Sequence, residues 1–245
     1  MMSVFHRIGA PTLIALSGAA APTMFAAEQA AWNLDYFDIR VGYSSVSSLE
    51  ITEGLTSNGA SLGTYDWLGE DSRGNRFSVG VVSGKAREHG GWFWGAAIAS
   101  TRWQATPVDG YSNDSGTTYA PSPNAITNWY HCIELQGGYQ YGIKAHNNIQ
   151  GWIEVAPIVS GGLVLAQTDT NTPQGYFRDS GSAFGYEIGA QLGLYLGEKN
   201  WLVGLTGAAT SFRSTVNIDT VDVGGSELTL RAVGARFGCE AGYRF

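Results

Sequence analysis

Charge is scarce in this sequence. Asp, Glu, Lys and Arg make up 14% of its 245 residues, against roughly 25% in soluble globular domains. Basic residues are the scarcer kind, 14 against 21 acidic ones, and a formal net charge of −7 argues against nucleic acid as a partner, because such binders present clustered Lys and Arg. Cysteine is nearly absent. Cys132 and Cys239 allow one disulfide at most, and the strand order derived below puts them on non-adjacent strands at opposite heights, so both are expected to be free. Past the N-terminus no apolar run reaches the 18 or more residues of a spanning helix, so any membrane crossing has to use strands. Chemistry is missing as well. No zinc spacing, phosphate loop or nucleophile elbow stands in a suitable context, and no catalytic, metal or cofactor site is expected.

Glycine and aromatic residues are plentiful, at 34 glycines and 12% Phe, Trp and Tyr. The first residues have the form of an export signal. His6 and Arg7 precede an apolar or small stretch over 8–21, and Gly18-Ala19-Ala20-Ala21 leads to Phe25-Ala26-Ala27 before Glu28. Cleavage is expected after Ala27, leaving 28–245 as one mature domain.

That domain alternates with period two. In the last stretch Val233, Ala235, Phe237, Cys239, Ala241, Tyr243 and Phe245 share one face, opposite Gly234, Arg236, Gly238, Glu240, Gly242 and Arg244. Residues 33–45, 127–143 and 181–196 repeat the division, with Asp38 and Arg40, Glu134, and Glu187 on their polar faces. Weaker stretches lie at 75–85, 91–104, 148–165 and 200–215, which makes eight strands. Connections at 86–90, 144–147 and 197–199 are short, whereas 46–74, 105–126, 166–180 and 216–227 are long and polar. Short and long alternate along the chain, as in a membrane barrel with tight periplasmic turns and larger extracellular loops. A further hairpin through Leu49-Glu50-Ile51 and Tyr65-Asp66-Trp67 would raise the count to ten.

The polar face has to point inwards, since Arg at a bilayer midplane costs about 2 to 4 kcal/mol. The expected fold is therefore an all-β, antiparallel, up-and-down transmembrane β-barrel with a polar, side-chain-filled interior. Aromatic residues gather near strand ends, where Tyr and Trp favour the membrane interface. Trp92, Trp94, Tyr139, Tyr141, Trp152, Tyr195, Trp201, Tyr243 and Phe245 fall at the short-turn end, and Phe77, Trp103, Trp129, Phe184 and Tyr186 at the other.

The ending Phe237-Gly-Cys-Glu-Ala-Gly-Tyr243-Arg-Phe245 resembles the C-terminal assembly signal of bacterial outer-membrane proteins. The layout over 31–245 is similar to the eight-stranded transmembrane domain of outer membrane protein A and its short relatives, without their peptidoglycan-binding domain. The resemblance implies an outer-membrane address, reading of Phe237, Tyr243 and Phe245 by the assembly machinery, and contact with outer-membrane lipid and lipopolysaccharide. An outward His131 near the outer rim is similar to the outer-membrane lipid A deacylases. Their Ser two positions later is Ile133 here, Ser100 could lie across the hairpin, and no outward carboxylate is evident, so an interfacial histidine is the preferred reading.

Two further groups have functional readings. Asp38, Arg40, Glu134, Glu154, Glu187, Arg236, Glu240 and Arg244 are expected to neutralise one another inside the barrel, with Asp38 and Arg40 beside Arg236, Glu240 and Arg244. A narrow passive channel is the alternative. The long loops are acidic, with Glu50, Glu53, Asp66, Glu70, Asp71, Asp109, Asp114, Asp169, Asp179, Asp219, Asp222 and Glu227 against Arg73 and Arg178. They suit either a partner-binding or a solvated surface, and the surface partner stays open. A structural or surface-interaction role without enzymatic activity is expected.

Overall fold

Alternating faces become twelve β-strands in the computed structural model, which describes residues 36–46, 50–57, 60–68, 74–85, 90–105, 111–112, 118–119, 125–143, 149–172, 175–218 and 226–245. The export signal lies outside these residues. The strands are β1 (Tyr36–Val46), β2 (Glu50–Ser57), β3 (Ala60–Leu68), β4 (Gly74–Gly84), β5 (Gly91–Ala105), β6 (Tyr111–Ser112), β7 (Thr118–Tyr119), β8 (Ala125–Ile143), β9 (Ile149–Thr172), β10 (Gly175–Glu198), β11 (Trp201–Ile218) and β12 (Ser226–Arg244). Eight of them form a ring in the order β1-β4-β5-β8-β9-β10-β11-β12, every pair antiparallel, and β12 returns to β1. Nine register pairs close the seam, from Asp38↔Arg244 to Val46↔Arg236. The Phe245 amide donates to the Phe37 carbonyl at 2.9 Å below them. Closure removes the sheet edge that hydrocarbon would not tolerate.

Two of the expected long loops, 46–74 and 166–180, are largely strand instead. Where β1 leaves β12 at Arg236, β2 resumes along the same strand, with Glu50↔Arg231 to Leu55↔Ser226. The β2–β3 hairpin therefore continues the β1–β4 hairpin upwards, and it adds no staves to the ring. The ten-strand count is not realised. β9 and β10 run unbroken to Thr172↔Gly175, and β11 and β12 to Ile218↔Ser226. The last described pairs of the β2–β3 and β9–β10 hairpins are Ser57↔Ala60 and Thr172↔Gly175.

At the other end the β10–β11 connection is tight. Glu198 pairs with Trp201, and Lys199 takes a left-handed φ of 55° between them, uncommon for a residue with a Cβ. Asn200 ties this turn to the end of β12, since its carbonyl accepts from the Arg244 amide and its side chain donates to the Arg244 carbonyl, both at 2.6 Å.

The outer wall carries an apolar band. On β10, Phe184, Tyr186, Ile188, Leu192, Leu194 and Leu196 are all exposed, as are Val41, Tyr43, Phe77, Val79, Ile98, Ile133, Leu135, Val203, Leu205, Val233 and Phe237 around the ring. From Phe184 to Leu196 the band rises about 30 Å along the axis, taking about 3.3 Å per residue and a tilt near 40°. That matches a bilayer's hydrocarbon core. The fold is that of a small outer-membrane β-barrel.

Some residues expected on the outside are inside. Trp152, Tyr195 and Trp103 are buried in the interior rather than in the belts, because they share their faces with Glu154, Glu187 and Thr101. Phe37 keeps the outward face of Val41 and Tyr43 but is covered there by the Phe245 ring, at a centroid distance of 6.2 Å. Trp92, Tyr139, Trp201, Tyr243 and Phe245 do form a belt at the short-turn end. Edge-on contacts of 5.0 to 5.4 Å link Trp92 to Tyr139 and Tyr243 to both Trp201 and Phe245.

Candidate functional site

The barrel interior is filled at three levels, and the first lies near the short turns. Asp38 and Arg40 are two apart on β1 and so share its inner face, while register sets Arg244 beside Asp38. Arg40 donates through both terminal nitrogens to Glu154 of β9, each at 2.7 Å, and to Asp38 at 2.9 Å. Arg244 reaches the two Asp38 oxygens at 2.7 and 3.0 Å. Two-pronged guanidinium–carboxylate pairs of this kind combine charge with fixed geometry. Aromatic rings enclose them. The Arg40 guanidinium lies 4.5 Å from the Tyr195 centroid, and that of Arg244 lies 4.3 Å from Tyr36 and 4.7 Å from Trp152. Trp152 and Tyr195 stack at 5.6 Å. A side chain on Gly193 or Gly204 would run into the Tyr195 ring, so those inward positions need glycine.

Glu240 belongs to this level and not, as expected, with Arg236. It accepts from the Tyr195 hydroxyl at 2.8 Å, and its closest guanidinium is Arg40 at 3.9 Å. The reason is height, since four residues of β12 separate Arg236 from Glu240 and carry them to different layers.

Arg76 of β4, Glu134 of β8, Glu187 of β10 and Arg236 of β12 converge at the second level. Glu134 takes Arg76 at 2.7 Å and Arg236 at 3.0 Å, and Glu187 lies 3.5 Å from both arginines. Two positive and two negative groups therefore balance inside the wall. Arg76 was missed in the sequence because β4 is weakly patterned. Its face was nevertheless signalled by the outward alternation of Phe77 and Val79 around it. Arg76 also donates to Thr101 at 3.2 Å and to the Cys132 sulfur at 3.7 Å. Both cysteines are free, Cys132 buried here and Cys239 exposed on the outer wall. Between the first two levels is a polar cavity of about 30 Å³ lined by Arg76, Ser78, Glu134, Arg236 and Glu240 among others. That is room for about one water.

The third level reverses the expectation of a polar interior. Val46, Ile51, Trp103, Ile126, Tyr130, Val164, Phe212, Val216, Ile218, Leu228 and Leu230 form one buried apolar cluster across the long-hairpin end. Phe212 is its centre, with ring centroids 5.2 Å from Trp103 and 4.9 Å from Tyr130. The Tyr130 hydroxyl lies 3.0 Å from the Ser160 hydroxyl, which donates to Glu187 at 3.3 Å, so the apolar layer sits directly on the second level. Asn128 is buried among these residues, and neither polar atom of its amide has a partner.

Outside the lumen, His131 and Ser100 are register partners facing lipid, and no hydrogen bond joins them. Among the described residues no group of three His, Cys, Asp or Glu side chains is arranged to hold a metal. Of the acidic hairpin residues, Glu50 and Glu227 are exposed, and Asp169 is held by Arg178 at 2.8 Å. Glu53, Asp66, Glu70, Asp71, Asp109, Asp114, Asp219 and Asp222 have side chains outside the described set.

No protein-family model and no curated protein matches the sequence. Solved structures that align with it include the outer membrane protein OprG from Pseudomonas aeruginosa, at 12% identity and a TM-score of 0.42, over 86% of this chain and 95% of that one. The outer membrane protease OmpT from Escherichia coli aligns at 12% identity and 0.45, over 86% and 96%. Ail, the attachment invasion locus protein of Yersinia pestis, aligns at 14% identity and 0.33, over 86% and 98%. Their names cover different roles, and none of them assigns one to this chain.

Proposed function

We propose that this chain is an integral protein of the bacterial outer membrane whose lumen is a structural core and whose working surface is the wall of hairpins above the bilayer. The observation that carries this reading is the filled interior. Two ion-pair layers and an apolar layer succeed one another along the axis, and the polar cavity between the ion-pair layers holds about 30 Å³. Eight strands leave an interior just wide enough for side chains. The described parts of the hairpins are paired strand rather than loop, up to Ser57↔Ala60, Thr172↔Gly175 and Ile218↔Ser226. Such a wall presents Thr215, Asn217, Glu227 and Thr229 to water in fixed positions. Rigid polar display suits recognition of a partner outside the cell.

Liposome swelling with the purified barrel tests the proposal. Wild-type protein is expected to admit no small sugars, whereas Phe212→Ala, which opens the apolar layer, should admit no more than a trace because the ion-pair layers stay shut. Sugar uptake by wild type comparable to an open porin would replace the filled core with the alternative of a narrow channel. The polar cavity between the ion-pair layers is what favours that alternative.

A further inference from the structure

Two arginines face each other on the outer wall. Arg213 of β11 and Arg231 of β12 are direct register partners, both exposed, which places their Cβ atoms about 5 Å apart. Like charges directly opposite across a strand pair are destabilising, and neither guanidinium has an ion pair or hydrogen bond among the described residues. Glu50 stands in register with Arg231 on the far side, yet no ion pair joins it to either arginine. Glu50 offsets one of the two opposed cations at most, which leaves the pair with net positive charge open to a further anion.

Their height identifies it. Immediately below, the outward positions are Ser211 with its register partners Ile188 and the exposed Val233, and further down is Phe237 in the apolar band. Arg213 is also in register with Tyr186, whose exposed ring belongs to the aromatic belt at this rim. The two guanidiniums thus stand where lipid headgroups meet hydrocarbon, with an apolar wall beneath them for acyl chains. Guanidinium forks match phosphate oxygens with paired hydrogen bonds, and a phosphate between two arginines would turn repulsion into attraction. We propose that Arg213 and Arg231 form a binding site for the phosphorylated headgroup of a membrane lipid, with the Tyr186 hydroxyl at its margin. The inference rests on the membrane reading of the apolar band. It stands whether or not the hairpins recognise a surface partner.

Native mass spectrometry of the purified, folded protein in dodecyl maltoside tests it, with lipid A carrying two phosphates as the probe and the dephosphorylated lipid as comparison. Wild type should retain the phosphorylated lipid, and the Arg213→Gln/Arg231→Gln double variant should retain it roughly tenfold less or worse. Arg178→Gln removes an exposed arginine already held by Asp169 and should leave retention unchanged. A second readout keeps folding and binding apart. Without lipid the double variant should unfold at the same or a higher temperature than wild type, because a repulsion is gone, while phosphorylated lipid should raise the midpoint of wild type alone. Equal retention of the dephosphorylated lipid, or undiminished retention by the double variant, would overturn the proposal. Displacement of the lipid by millimolar inorganic phosphate would overturn it too, by showing a site for the free anion.

Discussion

Above and below Arg213 the same strands are built inside out. On β12, Val233 and Phe237 face outwards while Arg236 and Glu240 face the lumen, but a few residues higher Glu227, Thr229 and Arg231 face outwards while Leu228, Leu230 and Ala232 are buried. β11 does the same. Trp201, Val203 and Leu205 lie outside below, and Phe212, Val216 and Ile218 lie inside above, opposite exposed Arg213, Thr215 and Asn217. The solvent on the outer face decides the arrangement. Facing hydrocarbon, the wall has to be apolar and the charges turn inwards to pair. Facing water, the ordinary hydrophobic effect puts the apolar side chains inside. One continuous ladder of strands thus holds a membrane barrel and a water-facing barrel end to end, and no connection is needed between them.

The lower region depends on ion pairs that cannot be opened cheaply, so the largest effect is expected there. Arg40→Leu leaves Glu154 and Asp38 buried without their shared cation, and such a loss typically costs about 3 to 5 kcal/mol. Arg178→Leu removes a pair whose arginine is 57% exposed, and exposed pairs are worth about 1 kcal/mol or less. Urea unfolding in detergent micelles measures both. Similar midpoints for the two variants would show that the lumen is wetter than its packing implies.

Next in size is the effect of placing one charge at two heights on the outer wall. Leu194→Arg puts a guanidinium into the apolar band, at an expected cost of about 2 to 4 kcal/mol. Thr215→Arg puts it on the water-facing wall, where surface changes stay within about 0.5 kcal/mol. Folding yields in bilayers of defined thickness would locate the boundary. Equal tolerance at both positions would mean that the band does not end near Phe184.

The lower region was legible in the sequence because its pattern is uniform, with apolar residues at every second position and charge between them. The upper region was not, since Leu228 and Leu230 have the opposite parity to Val233 and Phe237, and a search for one apolar face stops where the face changes. The hairpins did carry sequence signals, in Asn58-Gly59 and in Pro173 two positions before Gly175, but polar composition around them read as loop. Trp103, Trp152 and Tyr195 were assigned by their height near strand ends, whereas parity alone would have placed them inside. Alternation and order gave each charge its face and height. They could not show that Arg40 reaches Glu154 across the lumen, because β1 and β9 are not neighbours and no register relates them.

A smaller loss in vitro separates assembly from stability. Phe245 packs against Tyr243 and Phe37 at the seam, and deleting it removes apolar contact worth about 1.5 to 3 kcal/mol. Refolding in detergent should be nearly normal. Insertion in cells should fall much further if Phe237, Tyr243 and Phe245 are read by the assembly machinery before closure, as the resemblance to the outer-membrane signal implies. Heat-modifiable mobility of outer-membrane fractions on detergent gels would report it. Equal insertion of intact and truncated protein would sink the signal.

The smallest expected effect has the opposite sign and probes the upper region alone. Asn128 is buried with both amide atoms unpartnered, on a strand position between Trp103 and Ala166 in register. A polar group buried without a hydrogen bond loses its hydration and recovers nothing, a penalty of about 1 to 3 kcal/mol. Leucine has the branched skeleton of asparagine and no polar atoms, so Asn128→Leu removes both unpartnered groups, offset in part by the cost of seating two bulkier methyl groups. If the upper layer is an ordinary apolar core, the variant should be more stable by about 1 kcal/mol, read as a raised urea midpoint with unchanged slope. The matching change in the lower region, Glu187→Leu, should destabilise, because it strips a partner from Arg76 and Arg236. Destabilisation by Asn128→Leu would mean that the amide is bonded in solution and that the upper layer is not the dry core its lining describes.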